Sequence, residues 1–212
     1  MGAQPARSPM TSFDLPQLIA LAAVLGFASG IRLYAVLLIV GLAGFAGWVQ
    51  LPHGLQVLAH PAVLVVAGLM FVAEFLADKI PAVDTLWDAV HTFIRIPAGA
   101  ALAAGAIGAD HTSWAVIAAL LGGTLAATSH FTKASARAAV NTSPEPVSNI
   151  IVSTSEDIMT GGLLWLVLKF PLIAAGVVLV LILIAAWVLP KLFRFVRRVF
   201  LRRGDASPSS TG

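Results

Sequence analysis

The residues best suited to chemistry lie in one stretch of this sequence, residues 74–95, which holds four carboxylates and a histidine. Carboxylate oxygens suit magnesium, calcium or manganese, and an imidazole extends the choice to transition metals. A divalent cation is therefore the candidate cofactor. Its candidate ligands are Glu74, Asp78, Asp84, Asp88 and His91.

A structural role is the alternative interpretation of the same acids. They would form ion pairs with Lys79, Arg95 and Arg32, because an unpaired charge is costly away from water. Glu74 and Asp78 lie one turn apart on one helical face, which predicts a common partner for the two carboxylates. Their spacing is compatible with either role.

The spacing after Pro81 predicts an amphipathic helix. Polar residues recur at i, i+4, i+7 and i+11, so they share one face. They are Asp84, Asp88, His91 and Arg95. The opposite face carries the apolar residues Leu86, Val90, Phe93 and Ile94. We expect this helix to run along or into a membrane and to end before Pro97, where a segment of small residues begins.

The composition indicates that these charges belong to a membrane protein. Hydrophobic residues make up 58% of the 212 residues and charged residues only 11%. Soluble domains have about 25% charged residues, so this chain lacks a surface suited to water. Charged residues within lipid are costly and mark a functional site or a close partner. The absence of cysteine excludes disulfides, thiolate metal sites and cysteine nucleophiles.

The elements that must position these charges are apolar segments, and about six spans of roughly 20 residues fit the chain. We predict residues 15–49, 61–79, 97–109, 114–128, 149–168 and 170–189. The first is too long for one span and too short for two, which predicts a break at Ser29-Gly30, just before Arg32 and Tyr34. The alternative is a tilted helix whose arginine reaches the interface. The predicted fold is an all-α polytopic helical membrane bundle with interrupted helices, and Pro190 is expected to end the last span.

Further polar residues in the second half extend the predicted site. His130 and Lys133 follow the fourth segment, and Glu156 and Asp157 are adjacent carboxylates early in the fifth. Adjacent carboxylates inside a span are hard to explain as packing. The full set of candidate pathway or binding residues is Arg32, Tyr34, Glu74, Asp78, Asp84, Asp88, His91, Arg95, His130, Lys133, Glu156 and Asp157.

These carboxylates are expected to converge inside the bundle. Glu156 and Asp157 should face Glu74 and Asp78, because lipid exposure would be more costly than burial against protein or water. Arg32 should lie beside Glu74, Glu156 or Asp157 for the same reason. Four carboxylates in one place cannot all stay ionised, which predicts proton or cation dependence.

The charge pattern also predicts the domain organisation. Residues 1–14 form an N-terminal tail, residues 15–190 a transmembrane domain and residues 191–212 a basic C-terminal tail. Lys and Arg concentrate in the loops predicted to be inside, so both termini are expected in the cytoplasm. The partners expected are the lipid bilayer and, at the basic tail, anionic lipid head groups rather than nucleic acid. A homo-oligomer is a further candidate.

The two halves of the transmembrane domain, residues 15–109 and 113–190, are alike in plan. Each begins with a glycine-interrupted apolar segment, continues with acids and ends with an apolar segment. Three crossings per half would make the halves an inverted repeat, an arrangement that places binding sites near the midplane of many secondary transporters. Chance similarity between apolar segments is the alternative.

Several motifs resemble one known family. The motif Glu-Phe-Leu-Ala-Asp-Lys-Ile-Pro-x-x-Asp-x-x-Trp-Asp-x-x-His-Thr-x-x-Arg begins at Glu74, and Ala-Ser-Gly-Ile-Arg-Leu-Tyr begins at Ala28. Ser-His-Phe-Thr-Lys-Ala at Ser129 and Ser-Glu-Asp at Ser155 fit the same pattern. Over residues 18–192 the chain resembles the bacterial family of small integral membrane proteins known as domain of unknown function 4126. The resemblance implies an all-helical membrane domain and no reaction; the expected location is the bacterial cytoplasmic (inner) membrane.

Three classes of function are compatible with these features. A small transporter or channel for an ion or small solute is favoured, because buried acids and broken helices indicate a polar pathway. A membrane scaffold or assembly protein is the alternative, with polar residues that only hold helices together. A metal-dependent membrane enzyme acting on a lipid phosphate is less favoured. The paired Asp-rich motifs of intramembrane prenyltransferases are absent, and no serine, histidine and acid arrangement stands out.

Overall fold

A computed structural model of the protein describes residues 13–108, 112–140 and 146–204. Within these ranges the chain is all-helical and contains no strand. The helices are α1 (Leu15–Phe45), a short 3-10 helix (His53–Ala59), α2 (Pro61–Ala77), α3 (Pro81–Ile107), α4 (Thr112–Val140), α5 (Pro146–Lys169) and α6 (Pro171–Gly204). The predicted all-α bundle is confirmed.

Five helices are long and apolar enough to cross a membrane, and they correspond to α1, α3, α4, α5 and α6. A sixth span arises if the 3-10 helix and α2, which meet at an angle of 70°, are counted as one broken span. Large apolar side chains such as Leu183 and Trp187 are well exposed on the outside of α6, where only lipid would satisfy them. The chain is therefore a multi-pass membrane protein in contact with the bilayer.

Helix α1 lies at the centre of the bundle and packs against α2, α3, α4, α5, α6 and the 3-10 helix. It begins at a capping box in which Asp14 and Gln17 satisfy each other's backbone N–H groups. Its backbone leaves helical geometry at Arg32, where φ is −142° and ψ is 79°. The predicted break in the first apolar segment is confirmed, three residues after Ser29.

Small residues let α1, α3 and α4 approach closely. A Cβ added at Gly26 of α1 would lie 2.7 Å from the Cα of Gly122 on α4, a distance that real Cβ atoms do not reach. A Cβ at Gly99 of α3 would lie 2.6 Å from both the Ala126 Cβ and the Ser29 Oγ. Such contacts are the usual way helices associate within lipid. They hold the polar faces of the three helices against one another.

Two predicted helix ends are wrong. Pro97 lies inside α3, so the amphipathic segment and the small-residue segment form one helix, Pro81–Ile107. Pro190 lies inside α6, which continues through the basic residues to Gly204. Proline removes one backbone donor, but in membrane helices neighbouring groups compensate and the helix continues.

Two other predicted boundaries also change. Helix α4 does not stop near Thr128 but extends to Val140, which places the following basic residues on a helix. The predicted loop at residues 50–60 contains the 3-10 helix. Parts of the predicted tails, residues 110 and 111 of the predicted loop at residues 110–113, and residues 141–145 around Pro144 lie outside the described residues. The division into tails and two halves therefore stays a prediction.

Candidate functional site

The polar stripe of α3 faces the interior of the bundle. Asp84, Asp88, His91 and Arg95 are all buried, whereas Leu86, Val90, Phe93 and Ile94 are exposed. The periodicity of the sequence therefore predicts correctly which residues share the polar face of this helix and which share the apolar face. Opposite the stripe lie α1, the end of α2, α4 and α5, each of which contributes charged residues.

Arg95 forms the innermost part of the polar cluster. Its guanidinium donates to Glu74 Oε1 at 2.7 Å and to Asp88 Oδ1 at 2.6 Å, and it is fully buried, as is Glu74. His130 Nδ1 lies 3.2 Å from Arg95 Nη1, and its Nε2 lies 2.7 Å from the Thr92 hydroxyl. Arg95 thus joins α3 to α2 through Glu74 and to α4 through His130 by charge-assisted hydrogen bonds, which are stronger than neutral ones.

Arg32 occupies the break in α1 and reaches towards α2 and α5. It pairs with Asp78, lies 3.0 Å from Asp157 and 3.8 Å from Glu156. Its Nη2 donates to the carbonyl and to the hydroxyl of Ser153, at 3.1 and 3.0 Å. Two of the three carboxylates expected beside Arg32 are present, and Asp78 takes the place of Glu74.

Lys133 lies between acids from three helices. Its Nζ is 3.3 Å from Asp78, 3.5 Å from Asp88 and 3.6 Å from Glu156. The predicted common partner for Glu74 and Asp78 is not found among their ion pairs in the described residues. Glu74 pairs with Arg95, whereas Asp78 pairs with Arg32 and Lys133. One helical turn is enough to give the two acids separate partners.

Arg137 is a member of the cluster that the candidate set omits. Its guanidinium donates hydrogen bonds to both carboxylate oxygens of Glu156, at 3.1 and 2.9 Å, and to Asn149 Oδ1 at 2.7 Å. It also donates to the backbone carbonyl of Asp78 at 3.1 Å. Its position one turn after Lys133 is the sequence signal that could have found it, because the two share a helical face. Asn149 and Ser153 offer no comparable signal.

Three of the five predicted metal ligands lie together, and Glu74 and His91 lie apart from them. Asp78, Asp84 and Asp88 each offer an oxygen, and these atoms lie within 4.8 Å of one another. Glu74 belongs to the Arg95 pair instead. His91 stacks on the Trp87 ring at 4.1 Å and hydrogen-bonds to the Trp87 carbonyl. Its other nitrogen lies 3.1 Å from the hydroxyl of Tyr34.

Asp84 is the least satisfied member of the cluster. It is fully buried, and neither of its oxygens has a hydrogen-bond partner among the described residues. Its closest cation is Arg137, with Nη1 3.7 Å from Oδ2. A cavity of about 230 Å³ lies beside it between α3 and α4, lined in part by Asp88, Thr92 and His130. A buried carboxylate without a hydrogen-bond donor, next to an open cavity, is suited to binding a cation.

The cluster reaches the surface at Lys79 and Asp157. The side chains of Lys79 and Asp157 are each 22% exposed, and their charged groups lie 3.6 Å apart. Lys79 also donates to Ser153 Oγ at 2.7 Å, the same hydroxyl that binds Arg32. Ion pairs and hydrogen bonds therefore connect this partly exposed pair to the fully buried Glu74.

Comparison with known proteins identifies a family but no relative of known activity. Searches of curated proteins and of solved structures gave no match. The family described as "Domain of unknown function (DUF4126)" matches residues 19–191, most of the chain. The matched range includes the whole charged cluster, all of α3, α4 and α5, and most of α1 and α6. The chain belongs to this family.

Proposed function

We propose that this protein is a small transporter or channel for an ion or small solute, and that its activity depends on protons or cations. One observation carries the proposal. A continuous network of ion pairs runs from the partly exposed Lys79 and Asp157 to the buried Glu74 inside a membrane bundle. Charged residues at such positions usually line substrate or ion pathways.

The break in α1 supports this interpretation. Irregular backbone within a membrane is tolerated where it is buried in protein or lines a cavity, and transporters use such breaks to build binding sites. The break at Arg32 lies where this side chain meets Asp78 and Asp157. A helix that served only for packing would have no need of a broken backbone at its most charged point.

The extent of the network suggests a pathway open from one side. From Asp84 to Arg95, α3 rises about 16 Å at 1.5 Å per residue, roughly half of the 30 Å hydrocarbon layer. Beyond Arg95, α3 buries apolar and small residues such as Leu102 and Ala103. Close packing at Gly99 brings α3 against α1 and α4 in this half. One polar half and one tightly packed half are the arrangement expected of a transporter that opens alternately to the two sides.

Flux into liposomes tests the proposal. Proteoliposomes that contain the purified protein should take up radiolabelled Na⁺, or take up protons, faster than empty liposomes do. Glu156→Gln should reduce this flux, because it removes the charge held by Arg137 and Lys133. Asp14→Asn is the matched control, since it removes a carboxylate charge at the distant start of α1 but keeps a residue that caps helices.

A scaffold role is the second candidate, and a specific observation favours it. Arg32, Lys79, Arg95, Lys133 and Arg137 each lie within ion-pair distance of a carboxylate. Such pairs can hold helices in register. Absence of any flux in folded wild-type protein, together with lower stability of the Glu156→Gln variant, would favour the scaffold and contradict the transporter.

The membrane and the arrangement of the halves form part of the same proposal. We place the protein in the bacterial cytoplasmic membrane with both termini in the cytoplasm and its basic C-terminal tail against anionic lipids, either alone or as a homo-oligomer. The inverted repeat is supported by the close crossing of α1 and α4, which begin the two halves, at Gly26 and Gly122. The other contacts are unequal, because α5 packs on α1 more extensively than α2 packs on α4.

A further inference from the structure

The three clustered acids Asp78, Asp84 and Asp88 leave several oxygens without donors. Both oxygens of Asp84, Oδ1 of Asp78 and Oδ2 of Asp88 are buried and have no hydrogen-bond partner among the described residues. One oxygen from each residue lies within 4.8 Å of the others. Buried oxygens without a partner are costly, so a group that contacts several of them at once would be strongly favoured.

The charges of the cluster do not balance. In the described residues that ion pairs connect, five cations face six carboxylates. The cations are Arg32, Lys79, Arg95, Lys133 and Arg137; the carboxylates are Glu74, Asp78, Asp84, Asp88, Glu156 and Asp157. Five positive and six negative charges leave one negative charge. In a medium of low dielectric constant a single positive charge would neutralise it.

We propose that Asp78, Asp84 and Asp88 bind one monovalent metal cation, with Na⁺ as the ion of matching charge. A hard cation contacts oxygens at about 2.3–2.6 Å, so two ligands on opposite sides of it lie roughly 5 Å apart. The three oxygens lie within 4.8 Å of one another, which is compatible with this distance. The inference deepens the proposed function by naming a coupling ion, and it rests on that function for its physiological role.

Two other occupants fit less well. A divalent ion would leave one excess positive charge next to Arg32, Lys133 and Arg137, which all lie within 4 Å of the acids concerned. A proton on Asp84 would donate one hydrogen bond and leave the other buried oxygens without a partner. A monovalent metal ion balances the charge and can contact one oxygen of each of the three aspartates.

The site has room beside it. The cavity of about 230 Å³ between α3 and α4 is lined by Asp84, Asp88 and Arg137. Thr85 and Ala89, on the exposed side of α3, also line the cavity. The α2 C-terminus, where Asp78 is the capping residue, adds the negative end of a helix dipole on the other side.

Equilibrium binding of radiolabelled Na⁺ tests the site. The probe is added to purified full-length protein in detergent, with N-methylglucamine chloride keeping the ionic strength constant. Wild type should bind about one Na⁺ per chain, because the three aspartates form one site and one Na⁺ balances the charge of the cluster. Asp84→Asn should weaken binding by at least about tenfold, a change that equilibrium binding resolves easily. Asp14→Asn should bind as wild type does.

Thermal unfolding provides a second measurement, and the wild-type protein is enough for this test. Its Tm should rise with Na⁺ and saturate, because a ligand that binds only the folded state stabilises it. The Tm of Asp84→Asn should not respond. Failure of wild type to bind Na⁺, or stoichiometric Ca²⁺ binding that Na⁺ does not displace, would overturn the proposal. Na⁺ binding without any flux would support the cation site and contradict the proposed transport. Proton flux without Na⁺ binding would support transport and contradict the cation site.

Discussion

Arg137 of α4 holds both carboxylate oxygens of Glu156 on α5, at 3.1 and 2.9 Å. Helices α4 and α5 have few other contacts with each other, so this bidentate pair is a main link between them. It is also buried, with side chains that are 2% and 10% exposed. In a buried ion pair, the loss of one partner leaves the charge of the other buried and uncompensated.

The substitution Arg137→Ala is therefore expected to destabilise the protein by about 3–5 kcal/mol, because Glu156 and Asn149 would lose their donor. Unfolding in a mixed-detergent titration measures the change. Lys169→Ala is the control, since Lys169 is an exposed residue at the end of α5. Equal stability of the two variants would contradict the role assigned to this pair.

The substitution Arg32→Ala should lower stability by a similar amount, about 3–5 kcal/mol, because Asp78 would remain buried without its closest cation. Thermal melting in detergent provides the measurement. Addition of Asp78→Asn to Arg32→Ala should restore part of the loss, since it removes the stranded charge. Unchanged melting of the single variant would mean that the guanidinium contributes nothing at this position.

Close packing of α1 on α4 leads to a prediction about glycines. Gly26→Ala should destabilise the protein by about 1–3 kcal/mol, the usual effect of overpacking. The reason is that its Cβ would meet the backbone of Gly122 at 2.7 Å.

The matched control for this glycine is Gly176→Ala in α6, where a Cβ would meet nothing within 4 Å. There the substitution should be neutral or stabilising by about 0.5–1 kcal/mol, because alanine favours the helix. Thermal melting of the two variants side by side compares them. If they melt alike, the crossing of α1 and α4 is looser than the structure has it.

Topology can be tested by labelling. A small tag inserted at Gly54, in the 3-10 helix, should react with an impermeant reagent added outside intact cells. Tags at Thr142 or Ser209 should react only after the cells are opened. The expectation follows from the concentration of Lys and Arg in the predicted inside segments. Labelling of Ser209 in intact cells would reverse the proposed orientation.

The class of the protein could be predicted from the sequence alone. Apolar segments of membrane-spanning length and a low content of charge require a lipid environment, whatever the fold. Local sequence also determined the break near Arg32 and the inward face of Asp84, Asp88, His91 and Arg95. Both follow from residues within a few turns of one another, because glycine, arginine and helical periodicity act locally.

The extent of the helices was less predictable. Pro97 and Pro190 are strong local signals for a helix end, yet both helices continue through them. The outcome depends on whether neighbouring groups satisfy the freed carbonyls, which is a tertiary property. The continuation of α4 past Thr128 was also not predicted. It matters for the site, because it places Lys133 and Arg137 on the inward face of the helix.

Only the tertiary structure decided which charges meet. Arg32 pairs with Asp78 and Asp157, and Arg137 with Glu156, although these residues are far apart in sequence. Composition requires that buried acids have partners, but long side chains on five converging elements allow many pairings. The crossing of the helices at small residues selects one of them. In doing so it separates Glu74 from the three aspartates and leaves Asp84 without a hydrogen bond among the described residues.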